Sequence, residues 1–366
     1  MSVKAIALWR RPVSEIKPLI RSLVPEAVTA HLAAAGLPGF RARQLNPWLF
    51  SHGVMDWDAM SNLPADLRQN LAARFDLSGL TLDLRQVSTD HTRKYLFRLR
   101  DGQTVESVLI PMRDHATFCI SSQVGCGMAC RFCATARGGL VRNLEAGEII
   151  EQILHLQRDA QAEPVPGLGG RGFNVVFMGM GEPLDNWDAV RDSLRIMQAT
   201  DGLAMSRRRI QVSTSGPAAG LHRLIEDAPG VGLTLSLGGS NDVERKQVMP
   251  VPGRTSTTEA VDLAATYARA AGITATLAWV MIAGKTDAAD MARRLGALAR
   301  RGPFKVNLIP LNLLDDDALD RTHTAGILAF QKILTDMGIK AFIRASGGQD
   351  IDAACGQLRR RRQASP

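Results

Sequence analysis

From about residue 117 onward, short apolar runs alternate with longer segments suited to amphipathic helices. The runs predict strands at Thr117–Ser122 and near 174–178, 209–213, 231–236, 274–281, 305–310 and 340–344. The segments between them predict helices near 146–160, 187–199, 217–226, 256–272, 287–301 and 323–337. Strand–helix alternation predicts an α/β protein built of parallel β/α units, since a parallel pair needs a crossover long enough for a helix. About seven strands fit an incomplete (β/α) barrel better than a closed eightfold one.

Upstream the pattern changes. Pro25 suits a first helical position, Glu26–Ala35 can continue that helix, and Gly36 can stop it. Ser61-Asn62-Leu63-Pro64 predicts a second helix start before Ala65–Phe75. Tyr95–Leu99 and Val105–Ile110 flank Asp101-Gly102, a strong hairpin signal. Gly167–Gly172 (GLGGRG) has dinucleotide-loop spacing but precedes a predicted strand instead of following one, so it is expected to be a plain loop.

Composition adds little to fold and more to partners. The 366 residues are 45% hydrophobic and 22% charged, enough for one large domain and a smaller one. The apolar runs are too short to cross a membrane, and the N-terminus lacks a signal-peptide core and cleavage site. A cytoplasmic protein with no membrane association is therefore expected. Aromatic residues, at 5%, are too few for a base-stacking platform. The net charge of +8 favours a polyanionic partner. Part of it lies in Arg359–Arg362 and Arg207–Arg209, which read equally well as a solvated tail and a solvated helix end.

The chemistry sits in the cysteines. Four of the five, Cys119, Cys126, Cys130 and Cys133, fall within fifteen residues, and the fifth is Cys355. An odd number without a secretory signal argues against a disulfide scaffold. Cys126, Cys130 and Cys133 form C-x3-C-x2-C in a loop after a predicted strand. Three thiolates so spaced can hold three irons of a [4Fe–4S] cube and leave the fourth iron open to chelate a small molecule, notably the amino and carboxylate groups of S-adenosylmethionine. The alternative is structural zinc, which prefers four closed ligands, and no second cysteine pair follows. The cysteine loop, Gly179-Met180-Gly181-Glu182, Ser213, Ser236 and Asn312 all fall at the C-terminal ends of predicted strands, where functional groups of such units gather.

The cysteine loop looks like that of the radical S-adenosylmethionine superfamily. The wider set FCISSQVGCGMACRFCAT, NLEAGEII, VVFMGMGEPL, VSTSG, VNLIP and DIDAACGQL, with LPGFRARQLNPWLF and VESVLIP upstream, resembles the RlmN/Cfr family of radical RNA adenosine methyltransferases over roughly residues 35–358. The resemblance implies a partial barrel of the radical S-adenosylmethionine type at 117–345. A helical accessory domain at 1–85, a β-hairpin extension at 86–116 and a C-terminal segment at 346–366 would complete the chain. It implies Cys355 as a methyl carrier, Cys119 as the resolving thiol that ends in a disulfide with Cys355, and Glu106 as a proton acceptor. Gly181, Glu182, Ser213, Ser236 and Asn312 would contact S-adenosylmethionine, two molecules of which serve each turnover. Adenine C2 is electron-poor and not a nucleophile, so methylation through a thiol suits it where direct displacement does not.

The activity implied is C2 methylation of adenine in 23S rRNA, with tRNA as a second substrate, by a monomer reduced by a flavodoxin or ferredoxin. Pro183 in GMGEP leans towards C2 over C8. The same chemistry on another RNA or a small molecule is a second reading, and a non-enzymatic iron–sulfur or zinc RNA-binding protein a third. The usual SLHAPND reads SLGGSND here, so Gly238 stands where the family has a histidine beside the cofactor. The family's GVND reads Gly284-Lys-Thr-Asp, and its NP after LIP-x reads Asn312-Leu313.

Overall fold

Ala275–Met281 is buried on both faces, as a central parallel strand flanked by helices must be. In the computed structural model, which describes residues 16–165, 172–250, 255–314, 319–344 and 346–359, this strand lies within a single ten-stranded sheet. The predicted GLGGRG loop lies outside the described residues except for Gly172, and so do Arg360–Arg362 of the basic tail.

Seven of the ten strands run parallel: β4 (Ala116–Cys119), β7 (Phe173–Phe177), β8 (Ile210–Thr214), β9 (Gly232–Ser236), β10 (Ala275–Met281), β11 (Phe304–Pro310) and β12 (Ala341–Ile343). They lie side by side in that order. The helices between them are α5 (Ala146–Ala162), α6 (Trp187–Gln198), α7 (Ala218–Asp227), α9 (Thr257–Ala271), α10 (Ala289–Ala299) and α11 (Thr324–Asp336). The expected alternation and open barrel are thus present. Local chemistry sets the helix ends. Ser256 caps α9 by accepting from Glu259 N at 3.1 Å, and Gly272 ends it with φ +64°. Glu145 and Glu148 form a reciprocal capping box on α5.

The antiparallel part is larger than a hairpin. β1 (Leu80–Val87) pairs with β2 (Arg93–Leu99), β2 with β3 (Thr104–Pro111), and β3 with β4, so all three strands extend the barrel sheet. The stretch expected to be helical to residue 85 therefore ends in a strand. Its Leu80, Leu82 and Leu84 alternate with polar residues, but Leu82 and Leu84 face outward across an irregularity in register, so no buried face marks the strand. A two-stranded ribbon, β5 (Gln123–Gly125) and β6 (Leu140–Asn143), brackets the cysteine loop and short helix α4 (Ala134–Arg137).

The N-terminal helices α1 (Pro25–Ala34) and α3 (Ala65–Arg74) begin where expected. Between them α2 (Phe40–Asn46) runs into a π-helical turn at Pro47–Ser51, where proline cannot supply the next helical N–H. One continuous apolar core runs from Leu45 and Phe50 through Phe97, Phe118 and Phe177 to Trp279 and Phe330, so these helices share the barrel's core. A fully buried ion pair joins them to it. The Arg21 guanidinium donates to the carbonyls of Leu49, Val54 and Leu77 and stands 3.7 Å from Glu151 on α5. Glu151 accepts from Gly79 N at 2.8 Å, Leu80 N at 3.1 Å and Ser78 Oγ at 2.9 Å. Burial pushes Arg21 down and Glu151 up from their ordinary pKa values, each opposed by the partner's charge.

Removing one member of such a pair strands the other charge. Arg21→Met is therefore expected to destabilise the chain by about 3–5 kcal/mol in chemical denaturation, and Arg21→Met with Glu151→Leu by less than that. A single substitution within about 0.5 kcal/mol of wild type would show that the pair carries no such role.

Candidate active site

The cysteine loop leaves the ribbon at Gly125, which has φ +79° and passes so close to the returning chain that a Cβ would lie 1.9 Å from Gly139 O. Only glycine fits that crossing. Cys126 N then donates to Gly139 O at 3.1 Å, Cys133 N to Cys130 O at 3.1 Å, and Arg131 N to Val248 O at 2.9 Å. The last bond ties the loop to α8 (Asp242–Val248). Beneath the loop a small apolar cluster of Val248, Met249, Ile282 and Leu311 receives Cys130 and Phe132.

Cys126, Cys130 and Cys133 are free thiols whose charges act on one another. Burial pushes Cys126 up to about 12 and Cys130 well above the ordinary value, with neighbouring thiolate and Glu182 charges adding to the effect. A positive group in their midst relieves that cost. Among the described residues no set of three His, Cys, Asp or Glu side chains converges on a single metal ion. Three thiolates at this spacing fit a polynuclear cluster, in which each sulfur takes a different iron.

Glu182, after β7, is buried and fully engaged. Its Oε1 accepts from Thr214 Oγ1 at 2.7 Å and Leu184 N at 3.0 Å, and its Oε2 from Ser215 N at 2.7 Å and Ser215 Oγ at 3.0 Å. Its own N–H donates to Gln123 Oε1 at 2.8 Å. Burial raises its pKa against those donors. An ammonium could contact this carboxylate only if one hydroxyl donor turned away. Gly181 lies against Ser122 and Gln123, where a Cβ would come within 2.7 Å of both. Ser213 is the penultimate residue of β8, opposite Thr234, and Ser236 ends β9, opposite Ala278. Ser215 and Thr214, which bind Glu182 directly, are adjacent members of the same VSTSG run. Their contact with Glu182 left no mark in the sequence.

The C-terminal segment closes the site. Ala134 N donates to Gly356 O at 2.7 Å and Thr135 Oγ1 to Leu358 O at 2.5 Å, so the segment lies on the residues after Cys133. The buried Asn312 side chain donates to Cys355 O at 3.0 Å, and Gln357 Nε2 to Leu313 O at 3.0 Å. Asp350 accepts from Ser88 Oγ at 2.5 Å, joining the segment to the turn after β1. Glu106, on β3, is 1% exposed. It stands 3.6 Å from Lys94 Nζ and accepts from Arg359 N at 2.9 Å.

Cys355 keeps accessible surface, and the protein packed around it raises its thiol pKa by desolvation. Arg344's charge opposes that rise and Cys133's adds to it. Cys119, buried at the end of β4, is raised by burial and then by the charge of Cys355. The two thiols are free and near enough for each other's charge to matter. Gly238, where the family has histidine, has φ +67°, and a Cβ there would meet Met249 Sδ at 2.4 Å. Met249 occupies the space that a side chain at 238 needs.

A family model described as the radical SAM superfamily matches residues 120–295. One described as the ribosomal RNA large subunit methyltransferase N-terminal domain matches residues 20–77. The chain is 39% identical over 340 residues to the dual-specificity RNA methyltransferase RlmN of Pelobacter propionicus, covering 93% of this chain and 95% of that protein. It is 40% identical over 345 residues to the protein of that name from Dinoroseobacter shibae, covering 92% and 87%. The crystal structure of a radical SAM methyltransferase from Sphaerobacter thermophilus superimposes with a TM-score of 0.87 at 39% identity, covering 93% of this chain and 99% of that one. With family models on both its N-terminal helices and its barrel, and relatives matched almost end to end, the chain belongs to the RlmN family of radical S-adenosylmethionine RNA methyltransferases.

Proposed function

We propose that the chain methylates C2 of adenine in 23S rRNA, with tRNA as a second substrate, acting in the cytoplasm as a monomer reduced by a flavodoxin or ferredoxin. The names of its relatives support the substrate class. The observation that carries the chemistry is the docking of the Cys355 segment on the cysteine loop, with Ala134 N donating to Gly356 O at 2.7 Å and Asn312 to Cys355 O at 3.0 Å, and the charge of Cys355 acting on Cys119 supports it. Binding RNA needs neither non-ligand thiol, whereas relaying a methyl group needs both.

When bound, a [4Fe–4S] cluster and two molecules of S-adenosylmethionine per turnover supply a displaceable methyl group and a radical that abstracts hydrogen. Cys126, Cys130 and Cys133 hold the cluster. Gly181, Glu182, Ser213, Ser236 and Asn312 hold S-adenosylmethionine, with Gly181 allowing close backbone approach. Cys355 takes the methyl group as a thiolate by displacement, helped by the positive charge of Arg344. It then carries the one-carbon unit to adenine as a thioether. Glu106 accepts the proton that leaves C2. The Cys119 thiolate attacks the Cys355 sulfur, so that an S–S bond forms as the sulfur–carbon bond breaks; the pair of that bond stays on the departing carbon, which takes a proton to complete the methyl group. An external reductant restores both thiols.

Three measurements check this reading. Cys126→Ala, Cys130→Ala or Cys133→Ala is expected to abolish iron binding after anaerobic reconstitution, and stoichiometric zinc without iron in the wild type would overturn it. Nucleosides from a deletion strain should lack 2-methyladenosine in 23S rRNA and regain it on complementation; an unchanged profile would refute the substrate.

The third separates Cys119 from Cys355. Cys119→Ala can still load the carrier and add it to RNA, so it is expected to accumulate a covalent protein–RNA complex that resists denaturant and vanishes with RNase. Cys119→Ala combined with Cys355→Ala should form none. Normal turnover by Cys119→Ala would sink the assignment.

A further inference from the structure

Arg245, on α8, carries a guanidinium that the fold buries without neutralising. The residue is 8% exposed. Its Nη2 donates to Ser215 O, while its buried Nη1 has no hydrogen-bond partner among the described residues. Its nearest opposite charges are Asp242, Cys130 and Glu182, which act on it only at a distance. The Asp242 carboxylate accepts from Thr257 N at 2.6 Å, and all four acceptor positions of Glu182 are taken. Burying a cation with an idle donor is costly unless an anion arrives to meet it.

The surroundings restrict what that anion is. The guanidinium donates to the carbonyl of Ser215, a residue that also binds Glu182, and the charges of Cys130 and Glu182 act on it. The α8 backbone that carries it is bonded to that loop through Val248 O and Arg131 N. Beside it, Gly239 packs against the Arg245 backbone and Gly238 against Met249 and Val248, so neither offers a side chain here. A cationic donor on this wall therefore comes from Arg245. An RNA phosphate belongs to a wide, branched backbone, which does not suit a guanidinium only 8% exposed. The small anion that must reach the level of the cysteines is the amino-acid end of the cofactor.

We propose that Arg245 binds the carboxylate of S-adenosylmethionine through Nη1, as a cofactor-binding residue of the reaction above. The inference rests on the reading that the site uses this cofactor. Nη2, held on Ser215 O, fixes the plane of the guanidinium, and Nη1 presents a charge-assisted donor. Lysine has the charge but not the fork, so Arg245→Lys keeps part of the effect and Arg245→Gln little of it.

The test uses the anaerobically reconstituted holoenzyme and equilibrium dialysis with two probes, S-adenosylmethionine and its decarboxylated form. Iron content and circular dichroism of Arg245→Gln are expected to match wild type. Its Kd for S-adenosylmethionine should rise about ten- to a hundredfold, as for a lost hydrogen bond between charged partners. Its Kd for the decarboxylated probe should move less than threefold, and Arg245→Lys should fall between. An unchanged Kd for S-adenosylmethionine overturns the proposal. So does an equal loss for both probes, which marks a general distortion of the mouth. Loss of iron from both variants overturns it too, assigning the guanidinium to the cysteine loop. A wild-type holoenzyme that binds no S-adenosylmethionine removes the underlying reading as well, and is thereby distinguished from a failure of Arg245 alone.

Discussion

The mouth of the barrel is organised around one buried carboxylate. Glu182 gathers the end of β8 through Thr214 and Ser215, its own turn through Leu184, and the ribbon through Gln123. Ser215 passes the connection on through its carbonyl, which accepts from Arg245, while Met128 Sδ of the cysteine loop lies 2.9 Å from its hydroxyl oxygen. Strands at this edge would otherwise end in unconnected loops. A charged acceptor in low dielectric makes such bonds strong and makes the loss of any one costly. The positions of the cysteine loop, the Gly181 crossing and α8 all follow from that hub.

The C-terminal segment is a second layer laid over the first. Over residues 346–359 it has almost no regular secondary structure, and side chains and backbone groups of other elements hold it: Ser88, Ala134, Thr135, Asn312 and Glu106. A segment held this way places one atom, the Cys355 sulfur, without needing a helix or strand of its own.

Much of the scaffold was legible because parallel strands are covered on both faces and so read as apolar runs. The helices between them carry ordinary caps such as Ser256 and Gly272. β1 was not, because Leu82 and Leu84 face outward and no buried face marks it. The short α2 hides between Pro38-Gly39 and Pro47. At the site, the cysteines, Gly181 and Asn312 announce themselves by spacing or position. The buried state of Glu106 does not, because its partner Arg359 lies at the far end of the chain. Nor does the idle donor of Arg245, because an unmet hydrogen bond is a property of three-dimensional surroundings and an arginine on a short helix is ordinarily solvated.

The buried pair of Arg21 and Glu151 bears on the order in which the chain can be made. Synthesis delivers α1, α2 and α3 well before α5, so the N-terminal helices emerge with a guanidinium aimed at a carboxylate that does not yet exist. Their apolar faces are likewise cut from a core that the barrel completes. Until α5 leaves the ribosome these helices lack the partner that would make them persist, and they are open to chaperones and proteases. The accessory helices thus come first in the chain yet gain their buried partner only once the first long helix of the barrel has emerged.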